Sequence, residues 1–273
     1  MLTSRKLGFI GGGNMGEALI RGLLGSGCLD AWQILVSDIN QDRLQYLQTS
    51  YGVLSLPDNS ELARESEVIV LAVKPQQVDG VLEEIKVHLE HLPLLISIAA
   101  GVPLSRLHQQ LDKPVPMIRV MPNTPALILA SASAIAAGPH VTAEHRGIAR
   151  TLFEAVGRVV EVSEAQMDAV TALSGSGPAY ILLIVETLID AGVLLGLSRP
   201  MARELAVQTA LGAAKLLADT DAHPAALRDQ ITSPAGTTIH AMAVLERGGL
   251  RGVLMDAVAA AARRSKELGE RKA

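Results

Sequence analysis

Aromatic residues are nearly missing from this chain: one Trp, three Tyr and two Phe among 273 residues. That leaves no stacking platform for nucleic acid, and since 49% of the residues are hydrophobic, the core has to be built from Leu, Val, Ile and Ala. Cys28 is the only cysteine, so neither a disulfide framework nor a cysteine-rich metal site is available, and no metal is expected. Excess positive charge is lacking as well. The 24 Lys and Arg stand against 28 Asp and Glu, a formal net charge of −4, and the basic residues are scattered, which argues against a polyanionic partner. Long apolar runs are absent too. The most apolar segment, residues 179–197, carries Glu186 and Asp190 and falls short of the roughly 18 uninterrupted apolar residues that a membrane span requires. It reads as an interface helix outside any membrane. The chain opens Met1-Leu2-Thr3-Ser4-Arg5-Lys6 directly before a strand pattern, which leaves no room for a signal peptide and makes the cytoplasm the expected compartment.

What is present begins at residue 6. A short apolar run to Ile10 is followed by Gly11-Gly12-Gly13-Asn14-Met15-Gly16 and then by an apolar-periodic helix through Ala18, Leu19, Leu23 and Leu24. This strand, glycine turn and helix make the G-x-G-x-x-G pattern specific. Gly11 allows the tight turn, Gly13 leaves room for a pyrophosphate, and Gly16 lets helix and strand pack closely, with phosphate charge at the helix N-terminus. Residues 33–37 read as the second strand. It runs into Asp38, where a Rossmann unit places the group that meets the adenosine ribose.

Further apolar strands at residues 67–72, 94–97, 116–120, 131–137 and 159–162 alternate with helical patterns, so the chain up to about residue 163 is an α/β sheet domain. From Glu164 onward no strand pattern remains. Ala- and Leu-rich helices follow, with breaks expected at residues 174–178, 198–200, 221–224, 233–234 and 248–249. The expected organisation is a Rossmann-like domain over residues 1–163 and an all-α domain over 164–273. The helix at 179–197 is apolar on nearly every face, and a second subunit is the natural cover.

Three loops carry candidate chemistry. Val73-Lys74-Pro75 follows a strand and points Lys74 either toward the cofactor or into solvent. Met121-Pro122-Asn123-Thr124-Pro125 is a turn made rigid by two prolines, presenting Asn123 and Thr124. Ser233-Pro234-Ala235-Gly236-Thr237-Thr238 precedes the helical pattern of Ile239, Met242 and Leu245. Free backbone N–H groups, hydroxyls and a helix N-terminus suit a small carboxylate there, although a Pro-Ala-Gly turn also caps helices ordinarily.

These motifs, together with Leu173-Ser174-Gly175-Ser176-Gly177-Pro178-Ala179-Tyr180, occur in the order found in pyrroline-5-carboxylate reductases, and the chain resembles that family over essentially its whole length. The resemblance implies hydride transfer from NADPH or NADH to the imine carbon of 1-pyrroline-5-carboxylate, giving proline. It places the substrate on Ser233, Gly236, Thr237 and Thr238 with the loop around Asp221. It places the cofactor on Gly11, Gly13, Asn14, Met15, Gly16, Ser37, Asp38, Asn40, Lys74, Pro75 and Asn123. Thr238 is the expected catalytic contact, its hydroxyl meeting the ring nitrogen. A homodimer, with five dimers in a decamer, is the implied assembly. Ala235 stands where the family commonly has glycine, so the backbone must accept a Cβ.

Several questions stay open at this level. Asp38 favours NAD, whereas Ser37, Asn40 and Arg43 suit a 2′-phosphate, so both cofactors are expected to work. His240 reads as a core or surface residue rather than a catalytic one. Glu186 and Asp190 form either a buried acid pair or contacts across an interface. The rival functions are a related imine reductase and a β-hydroxyacid-type dehydrogenase. The latter needs a lysine of the helical domain, and Lys215 has no partner motif.

Overall fold

The computed structural model describes residues 5–270, so Met1, Leu2, Thr3 and Ser4, on which the expectation about a signal peptide rests, lie outside the described residues. The strands are β1 (Leu7–Ile10), β2 (Ile34–Ser37), β3 (Leu54–Ser55), β4 (Val68–Leu71), β5 (Leu94–Ser97), β6 (Met117–Met121), β7 (Ser131–Ala137) and β8 (Gly157–Glu161). The first six helices are α1 (Asn14–Gly25), α2 (Gln41–Tyr51), α3 (Asn59–Glu65), α4 (Val78–Ile85), α5 (Leu104–Leu111) and α6 (Ala143–Glu154). They are followed by α7 (Met167–Val170), α8 (Gly177–Leu194), α9 (Arg199–Ala218), α10 (Pro224–Gln230), α11 (Thr237–Arg247) and α12 (Leu250–Glu270). Two compact units result: the chain up to Ser176 with the chain from Ala260 onward, and Gly177–Ala259.

The first unit is one sheet in the order β3-β2-β1-β4-β5-β6-β7-β8. β1 to β6 are parallel, Leu7 lying beside both Ile34 and Val68, while β7 runs antiparallel to β6. The order reverses between β1 and β4, the switch point where open α/β sheets bind ligands. β1, β2, β4 and β5 are buried at every residue, as strands covered on both faces must be. One face packs Leu7, Phe9, Val36 and Val70 against Leu19, Leu23, Leu152 and Phe153 of α1 and α6. The other packs Ile10, Ile69 and Leu71 against Leu62, Leu82, Ile85 and Leu107 of α3, α4 and α5. β3 is missing from the sequence reading because its two residues are only partly covered.

One expected break is corrected. Residues 174–178 do not interrupt the helix with a loop. Thr171–Gly175 forms a π-helical turn after α7, a single bend follows at Ser176, and α8 starts at once. The resulting run, Glu164–Leu194, is long and apolar enough to cross a membrane by length and composition. In the second unit α8 packs on α9, closely at Gly192, where an added Cβ would lie 2.9 Å from the Ala202 Cβ. No residue of α8, α10 or α11 is buried within the chain. Glu186 and Asp190 are exposed rather than a buried pair, and Asp190 meets Arg199 of the same chain at 2.8 Å.

Candidate active site

The C-terminal edge of β1, β2 and β4 opens on a cleft of about 520 Å³ lined by Gly11, Gly13, Asn14, Ser37, Asp38, Asn40 and Lys74 among others. Its floor is the glycine turn. Gly11 has φ +101° and an added Cβ there would sit 2.7 Å from the Ala72 carbonyl, while one at Gly16 would sit 2.7 Å from the Gly11 carbonyl. Neither position accepts a side chain. At Gly13, by contrast, an added Cβ meets nothing within 4 Å. That open space lies at the N-cap of α1, which has no side-chain cap, so the first amides of the helix are left for a pyrophosphate. Met15 is turned partly into the core.

Charged side chains grip this turn from outside. Asp38 accepts from the Gly12 amide at 2.7 Å and from the Asn40 amide at 2.9 Å. The Asn40 side chain caps α2 by accepting from the Arg43 amide. Arg43 donates through Nε to the Gly12 carbonyl and pairs with Glu17, with its guanidinium carbon 5.1 Å from the Tyr46 ring centroid. Thus Arg43 turns inward, as a phosphate ligand would, but its guanidinium already has partners. Partial burial pushes the Glu17 carboxyl upward, yet hydrogen bonds from Tyr51, Arg43 and Tyr46 outweigh it and hold the group below its ordinary value. Donation to Glu17, assisted by burial, raises the Tyr51 phenol well above its ordinary value.

Asn59, Gln77 and Val81 line the cleft and escaped the sequence reading. Asn59 accepts from the Ser37 hydroxyl at 2.7 Å and donates to Glu84 at 2.7 Å, and Ile39 stands exposed on the rim. No spacing signal links Asn59 to a strand end 22 residues earlier. Lys74 is exposed at the cleft, beside Pro75, which starts a 3-10 turn. Asn123 sits on the same edge of the sheet, after β6. Its carboxamide accepts from the Ser131 hydroxyl and the Ala132 amide and donates to the Ser174 carbonyl.

The second unit holds the other candidate seat. The Gly236 amide bonds the Ser233 carbonyl at 3.1 Å, and a Cβ added at Gly236 would lie 2.2 Å from the Ser233 hydroxyl. A side chain at Gly236 would require that hydroxyl to turn aside. Ala235 takes φ +55°, so the Cβ expected to be awkward is held in the left-handed region. Gly236 then enters α11 without a side-chain cap, leaving the amides at Thr237 and Thr238 open to an anion. Thr238 is half-buried and Asp221 exposed, and among the described residues no hydrogen bond joins Asp221 to this turn. His240 is exposed, its Nδ1 2.9 Å from the Gly236 carbonyl, as expected for a surface histidine. Lys215 is exposed on α9.

Comparison with known proteins follows this geometry. Residues 164–268 match the family described as pyrroline-5-carboxylate reductase dimerisation, and residues 6–101 match the family described as NADP oxidoreductase, coenzyme F420-dependent. The chain is similar to the pyrroline-5-carboxylate reductase of Synechocystis sp., 48% identical over 98% of this chain and 100% of that one. It superposes on the structure of the Coxiella burnetii enzyme with a TM-score of 0.94 at 40% identity, covering 98% of this chain and 100% of that one. The Plasmodium falciparum pyrroline carboxylate reductase structure with NADP bound gives 0.88 at 34% identity over 98% and 99% of the two chains.

Proposed function

The chain belongs to the pyrroline-5-carboxylate reductase family, and from that premise we propose how its residues share the work. The reaction is reduction of 1-pyrroline-5-carboxylate to proline with NADPH or NADH. Neither rival reading is favoured, and Lys215 has the surroundings of a surface lysine.

The glycine turn fits a dinucleotide: open space at Gly13, an uncapped helix behind it and a cleft that continues to Ser37, Asp38 and Asn40. Gly11, Gly13, Asn14, Met15 and Gly16 shape the pyrophosphate seat. Ser37, Asp38 and Asn40 receive the adenosine ribose, Lys74 and Pro75 border the phosphates, and Asn123 braces the turn after β6. The chemistry supplied by a reduced nicotinamide, when bound, is a hydride for the imine carbon. Residues 1–163 form the cofactor domain and 164–273 the substrate and dimerisation domain.

A protonated C=N bond accepts hydride readily, so the protein's main task is orientation, an effect reaching roughly 7–11 kcal/mol in favourable cases. The amides of Thr237 and Thr238 clamp the substrate carboxylate, with Ser233, Asp221 and Gly236, whose own amide is held by the Ser233 carbonyl, beside them. The Thr238 hydroxyl hydrogen-bonds the ring nitrogen as it becomes an amine. The observation that carries this reading is the uncapped start of α11 behind a glycine packed against the Ser233 hydroxyl.

The enzyme self-associates. We assign the uncovered α8 to a homodimer rather than to a membrane, with five dimers in a decamer, and place the protein in the cytoplasm. The lone cysteine supports that compartment. An absorbance assay with 1-pyrroline-5-carboxylate and each reduced nicotinamide tests the function, and folded protein that oxidises neither overturns it. Both cofactors should work, with the preference below about a thousandfold, roughly 4 kcal/mol.

A further inference from the structure

The π-turn leaves one backbone group without a helical donor. In an α-helix the Ser174 carbonyl accepts from the amide four residues on, but that residue is Pro178, which has no N–H. The Ser176 amide reaches back to Thr171 instead, and Ser176 itself is a bend. Asn123 Nδ2 donates to the Ser174 carbonyl at 3.0 Å, from a side chain only 8% exposed. Its Oδ1 is fixed in turn by the Ser131 hydroxyl at 3.1 Å and the Ala132 amide at 3.0 Å. The two segments also touch directly, since a Cβ added at Gly175 would lie 2.6 Å from Met121 Cε.

We propose that Asn123 is a positioning residue: it supplies the donor that Pro178 withholds, and so fastens the π-turn Thr171–Gly175 to the ligand-binding edge of the sheet. That edge carries the ends of β1, β2, β4, β5 and β6, all parallel, and ligands in such sheets lie beyond those ends. The turn after β6 is itself braced, its 3-10 helix Thr124–Ile128 packing on α1 and Arg21 donating to the Leu127 carbonyl. Loss of the bond lets residues 171–176 shift relative to the cofactor cleft, and a displacement near 1 Å costs about tenfold to a hundredfold in rate. The inference rests on the reading above, reduction of pyrroline-5-carboxylate.

Asn123→Asp isolates the bond. It keeps the acceptor for Ser131 and Ala132 and removes only the donor, placing a carboxylate against the Ser174 carbonyl. A protonated carboxyl donates again, and burial favours that neutral form. The kcat/KM of the variant relative to the parent, measured with pyrroline-5-carboxylate across pH, should therefore be depressed at alkaline pH and rise as pH falls. Adding Pro178→Ala to Asn123→Asp gives the Ser174 carbonyl a local donor but no tether to the sheet, so the double variant should stay as depressed at alkaline pH as Asn123→Asp. A ratio that stays flat with pH, or a double variant restored to the parent's kcat/KM, overturns the proposal, even if the thermal midpoint falls. Absence of turnover in the parent would instead overturn the functional reading.

Discussion

Phe153 and Leu19 of the sheet unit are 0% and 1% exposed, whereas Leu182 and Leu183 of α8, equally apolar, are 68% and 63% exposed. The sheet unit closes its core within one chain because helices cover both faces of a parallel sheet. The helical unit has no such cover: α9 buries only Ala202 and Ala206, and α8 nothing. The difference is in where the partner surface comes from. Apolar area of this kind is stable only when buried, so the core of the helical unit has to be completed by a second copy.

That contrast can be broken. Leu182→Asp with Leu183→Asp puts two charges into the surface assigned to the dimer, and the expected outcome is a monomer by sedimentation with no detectable activity. Unchanged association would mean that α8 is covered some other way. Phe153→Ala should cost about 3–5 kcal/mol in urea denaturation without dissociating the assembly, and a loss under about 1 kcal/mol would show a looser core than the burial implies. Thr238→Ala touches neither core. It should lower kcat/KM by about tenfold to a thousandfold, as expected for lost positioning contacts, while a titration of cofactor binding stays unchanged. Equal kcat/KM would remove the hydroxyl from the mechanism. The smallest effect is at Ala235, whose left-handed backbone costs about 1–2 kcal/mol. Ala235→Gly should recover about 0.5–1 kcal/mol after the flexibility of glycine in the unfolded chain is counted, read as a small rise in melting temperature.

The same contrast governs what the sequence discloses. β1, β2, β4 and β5 lie within a residue or so of the apolar runs that announce them, since burial on both faces leaves a nearly unbroken apolar signal. The Gly11 turn is legible because it requires the absence of a side chain, and the Gly236 turn because small and hydroxylated residues precede a helical pattern. Pairings across long separations are not. Asn123 and Ser174 are 51 residues apart and Arg43 and Glu17 are 26, and no local pattern joins them. The π-turn is hidden for a related reason. Ser174, Gly175, Ser176, Gly177 and Pro178 are all residues that end helices, and the bond from the distant Asn123 carboxamide to Ser174 leaves no local signal.

The grip on Gly12 has a consequence for cofactor binding. Its amide is held by the Asp38 carboxylate and its carbonyl by the Arg43 guanidinium, so both polar groups of the central glycine are fixed by side chains of opposite charge. Glycines lose more backbone freedom on ordering than any other residue, and freezing one backbone residue costs roughly 1–2 kcal/mol. Here that loss falls during folding, because the loop is already in its binding shape when the dinucleotide arrives. Association then carries little ordering penalty, and releasing the clamp through Arg43→Met would return that entropy to the free enzyme and take it from the affinity.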